Sequence, residues 1–187
     1  MRFTLTYRGP LSPSANNSSK VPLKHQIRDV FAGQIRELMA LPPLAGSQLW
    51  EGSSEGLDLR EQIGDCWFAP LVSKMLHGYA ELDVLLLRPG PQGKVVHAGD
   101  LDNRIKTLVD ALRMPHHRNE IPHGTELPIE AAMPVLLQDD ALLTRLSVET
   151  DRLLNAPLEG SNQGYVEAII RVTTGVTQQT WASLAFG

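Results

Sequence analysis

The sequence predicts an α+β domain. It reads as a mixed β-sheet with two main helices packed on one face, in the order strand, helix, strand, helix, strand, strand. Three patterns carry this. Segments 2–7, 79–88, 141–150 and 165–173 alternate apolar and polar residues and are rich in β-branched and aromatic side chains, the signature of strands. Two other segments repeat apolar residues at helical spacing: Ile27, Phe31, Ile35, Leu38 and Met39, then Leu101, Ile105, Leu108, Val109 and Leu112. Interleaved in this order, such elements build α+β layers. The 187 residues suffice for one domain with a real core, carrying insertions near 45–65 and 116–134.

Taken in order, RFTLTY opens the chain as a strand that Gly9 and Pro10 break, and a polar loop follows over 14–20. The first helix is expected over 24–41, with Lys24, Arg28 and Arg36 pointing mostly away from its buried face and Pro42-Pro43 stopping it. The glycine-spaced stretch 45–65 reads as an irregular excursion with a short helical turn around 57–63. Trp50, Trp67 and Phe68 are expected to pack it to the body. Segment 68–74 is short and ambiguous between strand and helix. YAELDVLLLR is a strong strand, and the turn Pro89 to Gly93 leads towards the second helix, which Pro115 ends. Segment 165–173 is expected to form a hairpin with 141–150 across the turn 155–164, and Trp181 is the one expected anchor of the tail.

Composition narrows the function. A single cysteine, Cys66, excludes an internal disulfide framework and a cysteine zinc cluster. No apolar run reaches the length of a membrane span, and the N-terminus lacks the pattern of a signal peptide, so a cytoplasmic protein with no membrane partner is expected. The net charge of −4 argues against a generic nucleic-acid binder. Its distribution is uneven: residues 1–28 carry Arg2, Arg8, Lys20, Lys24 and Arg28 and no acid, whereas 29–65 and 120–151 are acidic. One basic surface beside acidic insertions fits that pattern. His116, His117 and His123 stand close together, but no cysteine or carboxylate spacing accompanies them to make a zinc site.

The chemistry concentrates in GDLDNRIKTLVDALRMP, residues 99–115. Asp100 reads as an N-cap, and an acidic first turn suits the helix dipole. Asp102, Lys106 and Asp110 recur on one stripe away from the apolar face. Alone, this D-x-D serves capping as well as it serves chemistry, and Lys106 reads as a salt-bridge partner one turn away. A second acidic element, Gln138-Asp139-Asp140-Ala141, enters the next strand.

A D-x-D at a helix start followed by an Asp pair at a strand entrance resembles the RusA-like Holliday junction resolvases. DLDNRIKTLVDAL and QDDALL carry the likeness, with LSPSANN near the N-terminus resembling that family's Pro-Ser-Asn turn. It covers about two-thirds of the chain. VVHAG stands where the family carries a basic run before the helix.

The resemblance implies a magnesium-dependent endonuclease, with Mn2+ as the alternative ion, that resolves Holliday junctions or related branched DNA by symmetric nicks. Two symmetric nicks in a four-way junction imply a homodimer. Asp100, Asp102 and Asp140 are implied as metal ligands and Lys106 as the essential basic partner. Asp139 is implied as a supporting neighbour, and Asn17, Lys20 and Arg104 as DNA contacts. Carboxylates that leave some positions to water and phosphate suit Mg2+. Asp100 and Asp102 converge only if Asp100 lies just outside the helix, because helical residues two apart diverge by about 200°. Another metal-dependent phosphohydrolase, or a non-catalytic DNA-binding module of the same fold, is the alternative.

Overall fold

The computed structural model describes residues 1–11, 20–50, 57–89, 100–154 and 164–180. Among these residues the fold is α+β, with two α-helices and seven strands in two sheets. The larger sheet has four strands: β1 (Arg2–Pro10), β4 (Gly78–Arg88), β6 (Leu143–Arg152) and β7 (Tyr165–Val176), in the order β1-β7-β4-β6. The smaller has β2 (Glu61–Ile63), β3 (Cys66–Val72) and β5 (Met133–Leu137), in the order β2-β3-β5.

Period-two patterning builds the larger sheet. Leu82, Val84 and Leu86 of β4 and Val166, Ala168, Ile170 and Val172 of β7 face one way and are buried. Helix α1 (Val21–Met39) covers that face with Ile27, Phe31 and Ile35, and α2 (Asp100–Leu112) with Ile105, Leu108 and Leu112. The opposite face carries Glu81, Asp83 and Arg171 and is open.

Two connections differ from the expectation. Strand β7 is not a hairpin partner of β6. It lies antiparallel between β1 and β4, while β6 joins β4 in parallel. The connection from β4 through α2 back to β6 therefore returns the chain to the end where β4 began, as a parallel pair requires. β1 also runs on through Gly9 and Pro10, which pairs with Tyr165. Proline is tolerated because β1 is an edge.

The second sheet was not anticipated. β3 and β5 are apolar runs buried on both faces rather than alternating. Segment 57–63 forms no helical turn, and Glu61–Ile63 pairs antiparallel with β3. Both insertions are thus tied to the body: Trp50 Nε1 donates to the Pro70 carbonyl at 3.0 Å, and Leu127 bridges to Cys66.

Arg28 also differs from expectation. It is fully buried, its guanidinium donating to the carbonyls of Asp110 and Arg113 and so tying α1 to the end of α2. The helices run side by side in the same direction, since Lys20 meets Thr107, Lys24 meets Asp110 and Arg28 meets Arg113.

Candidate metal centre

Helix α2 turns its charged stripe to two different uses. Asp110 is buried. Lys24 Nζ lies 2.6 Å from its Oδ2, and Arg113 Nε lies 3.5 Å from its Oδ1. Asp102 and Lys106, two turns and one turn earlier, are exposed, and neither side chain makes an ion pair or hydrogen bond among the described residues. The expected salt bridge from Lys106 to Asp102 or Asp110 is not made, because Asp110 is already held by Lys24 and Arg113. The backbone of Asp100 opens α2 as its first residue, rather than standing outside it as a cap. Its side chain lies outside the description.

Arg104 and Lys20 do not stand ready for DNA. Arg104 is 7% exposed and donates to the carbonyls of Leu11 and Gly164, tying the start of α2 to the end of β1 and the start of β7. Lys20 is 6% exposed, with Nζ 3.4 Å from Thr107 Oγ1, and braces α1 against α2. Its burial, with Lys24 and Lys106 nearby, pulls its pKa below the usual lysine range. Both long side chains cover apolar surface while satisfying their polar ends internally. Asn17 lies outside the described residues.

The Asp pair sits elsewhere. Gln138 clips the end of β5: its N–H donates to the Val72 carbonyl, and its side-chain oxygen accepts from the Lys74 N–H at 2.7 Å. Asp139 then caps the short 3-10 turn Asp140–Leu142 by accepting from the Ala141 N–H at 2.9 Å. Lys74 Nζ lies 2.5 Å from its other oxygen, and this bond, more than any other cause, holds the Asp139 carboxyl down to about 2. Asp140 is exposed beside it.

His116 completes this corner. Its imidazole nitrogen and one oxygen each of Asp139 and Asp140 lie within 4.8 Å of one another. The residue comes there because Arg113 bridges in parallel to Leu137 and Met114 N–H donates to the Leu137 carbonyl. Two segments far apart in sequence thus run out together. His117 packs edge-on to His116, ring centroids 6.4 Å apart, and does not join the carboxylates. The sequence singled out the histidine cluster but not this pairing, because the loop between α2 and β5 decides it. Lys74 had no sequence signal of its own.

The acids expected to share one ion therefore stand at opposite ends of the sheet. Arg104 anchors the α2 start where β1 ends and β7 begins. Asp140 precedes β6, whose first residue Leu143 pairs with Ala80 at the start of β4. Helix α2 alone spans 13 residues, about 20 Å at the helical rise. One protomer brings Asp139, Asp140 and His116 together and keeps Asp102 away from them.

Fold and site together define an α+β domain that presents exposed carboxylates at both ends of one parallel strand–helix–strand crossover. No family model matches the chain, and no curated protein or solved structure matches it either.

Proposed function

We propose that the protein is a magnesium-dependent endonuclease of the RusA-like type, cutting Holliday junctions or related branched DNA as a homodimer. One observation carries this reading: among the described residues Asp102 and Lys106 are exposed and unpaired, on a helix where Arg104 and Asp110 are buried and bonded. A carboxylate and an ammonium one turn apart, neither bonded among the described residues, form a geometry that no packing need explains.

The donors suit the ion. Asp102 and Asp140 offer exposed hard oxygens, as Mg2+ prefers, and Mn2+ would accept the same set with the His116 nitrogen added. Asp139 is held by Lys74 and the Ala141 N–H, so it orients Asp140 rather than binding the ion. When bound, the ion activates water and neutralises charge on the phosphate. Lys106 stands on the Asp102 side, where it would stabilise charge developing on the phosphate oxygens.

The distance between Asp102 and Asp140 supports a shared site. A site using both draws Asp102 from one protomer and Asp140 from its partner. A twofold dimer then holds two such sites, one for each strand to be nicked.

The test incubates purified protein with a labelled four-way junction and a matched linear duplex, in Mg2+ and in EDTA. Asp102→Asn and Asp140→Asn should each abolish cutting. Mixed together, the two variants should regain junction nicking, because a mixed dimer rebuilds one complete site. Cutting abolished by neither substitution would refute the assignment. Junction binding that survives EDTA without cutting would instead mark a non-catalytic binding module.

A further inference from the structure

The two edges of the larger sheet are finished differently. The outer edge of β1 is covered: Gln34 of α1 accepts from the Thr6 N–H and donates to the Thr6 carbonyl, both at 2.8 Å. The outer edge of β6 has no strand beside it among the described residues. β6 is 10 residues long, and Thr144 to Ser147 are all exposed. Leu146 is 41% exposed although it pairs with Leu82, which is fully buried. A long edge that leaves backbone groups and an apolar side chain in water is a template for another strand.

We propose that β6 is the dimer interface, pairing antiparallel with β6 of a second copy about a twofold axis at Ser147. This deepens the nuclease reading and rests on it for its functional consequence.

Two features select a second copy of this chain as the occupant. The first is charge order. Around Ser147, antiparallel pairing sets Arg145, which bonds Glu81 and Asp83 of β4 on the same open face, opposite the partner's Glu149 and Leu146 opposite the partner's Val148. Opposed residues in an antiparallel pair point to the same face. Arg145 and Glu149 both project on the open face, and Leu146 and Val148 on the helix-covered face, as their partners on β4 require. In-register parallel pairing would oppose Arg145 to Arg145 and Glu149 to Glu149, and a one-residue shift would set open-face residues opposite helix-face ones.

The second feature is direction. Antiparallel pairing sets the end of β6 in one protomer beside its beginning in the other. The end of one sheet that carries Asp102 thus meets the end of the other that carries Asp140. A dimer through β1 is blocked by Gln34. Completing the edge that lacks a strand therefore brings the Asp102 end of one protomer and the Asp140 end of the other to the same side of the dimer.

The experiment is cross-linking at the axis. Pairing at Ser147 would bring the two substituted β-carbons within about 5 Å, close enough for a disulfide. Cys66, the one native cysteine, is buried. Full-length Ser147→Cys protein should form a disulfide-linked dimer under mild oxidation, and Thr4→Cys, on the same open face but at the covered edge, should not. By sedimentation, Glu149→Arg should weaken the dimer roughly tenfold or more, since it sets two pairs of like charges face to face. Glu149→Gln, which brings no like charge to the seam, should weaken it less. A monomer at every concentration, or a dimer indifferent to both Ser147→Cys and Glu149→Arg, would overturn the interface. If variant mixing still restores cutting in that second case, the nuclease reading stands and only the interface falls. Cross-linking without metal-dependent cutting would uphold the interface and refute the nuclease.

Discussion

Lys24 and Asp110 meet at 2.6 Å with both side chains largely out of water, and the same carboxylate faces Arg113. The pair joins the first turn of α1 to the last turn of α2. Arg28 adds two donations to α2 carbonyls just beyond it. Burial holds the Arg28 pKa down to about 10, but it remains charged at neutral pH. Removing Asp110 would leave three cations sharing a poorly solvated seam. Asp110→Ala should therefore destabilise the fold by about 3–5 kcal/mol, as broken buried pairs do. Denaturant unfolding measures it, and a loss below about 1 kcal/mol would contradict the pairing.

Lys106 should separate activity from stability. Its side chain is exposed and unpaired among the described residues, so Lys106→Met should leave the melting temperature within a degree or two. Junction cutting under the proposed function should fall about 100- to 1000-fold, the usual effect of losing one charge-stabilising donor. A large drop in stability would return Lys106 to a structural role.

Gly9 is required by a close approach. A Cβ there would lie 2.7 Å from the Tyr7 hydroxyl and 3.0 Å from the ring, and its φ is +154°. The hydroxyl donates to the Pro10 carbonyl at 2.8 Å, and burial pushes its pKa up to about 12. Tyr7→Phe should cost about 1 kcal/mol. Gly9→Ala should cost more, because ring and backbone must both move. Equal stability of Gly9→Ala and wild type in thermal melts would refute the contact.

His25 should shape the acid limb of stability. Its Nδ1 is buried without a hydrogen-bond partner among the described residues, and burial lowers its pKa below the usual histidine value. The unfolded chain then binds a proton more readily than the folded one. Its contribution is fully present above about pH 6.5 and is lost as pH falls through the lower folded value. His25→Leu should flatten stability over that window, read as melting temperature against pH. An unchanged acid limb would show that His25 titrates as in the unfolded chain.

Asp139 acts at lower pH. Lys74 holds its carboxyl down to about 2, so its stabilisation is present above the unfolded value near pH 4 and fades as pH falls towards 2. Because Lys74 is exposed, Asp139→Asn should cost no more than about 1 kcal/mol at pH 7. The difference from wild type should close by pH 2 in the same melts.

The sequence by itself determined the elements whose side chains sort by period. The spacing of Ile27, Phe31 and Ile35, of Ile105, Leu108 and Leu112, and the alternation in β4 and β7 can each be buried in only one way, so helix, strand and buried face were legible together. β3 and β5 were not, because Phe68 to Val72 and Met133 to Leu137 are buried on both faces and contain Pro70 and Pro134, which leaves no period to read. Arg28, Arg104 and Lys20 looked like surface cations, since nothing in a local window shows that a carbonyl or hydroxyl from another element will meet them.

Tertiary structure alone decided who meets Asp140. The acidic pairs were visible in sequence, but their separation follows from the parallel pairing of β4 with β6, which sends α2 the length of the sheet between them. The same crossover brings His116 to Asp139 and Asp140. Strand order, and with it the open edge of β6, comes from non-local backbone pairing, where the registers that bury the most apolar surface win.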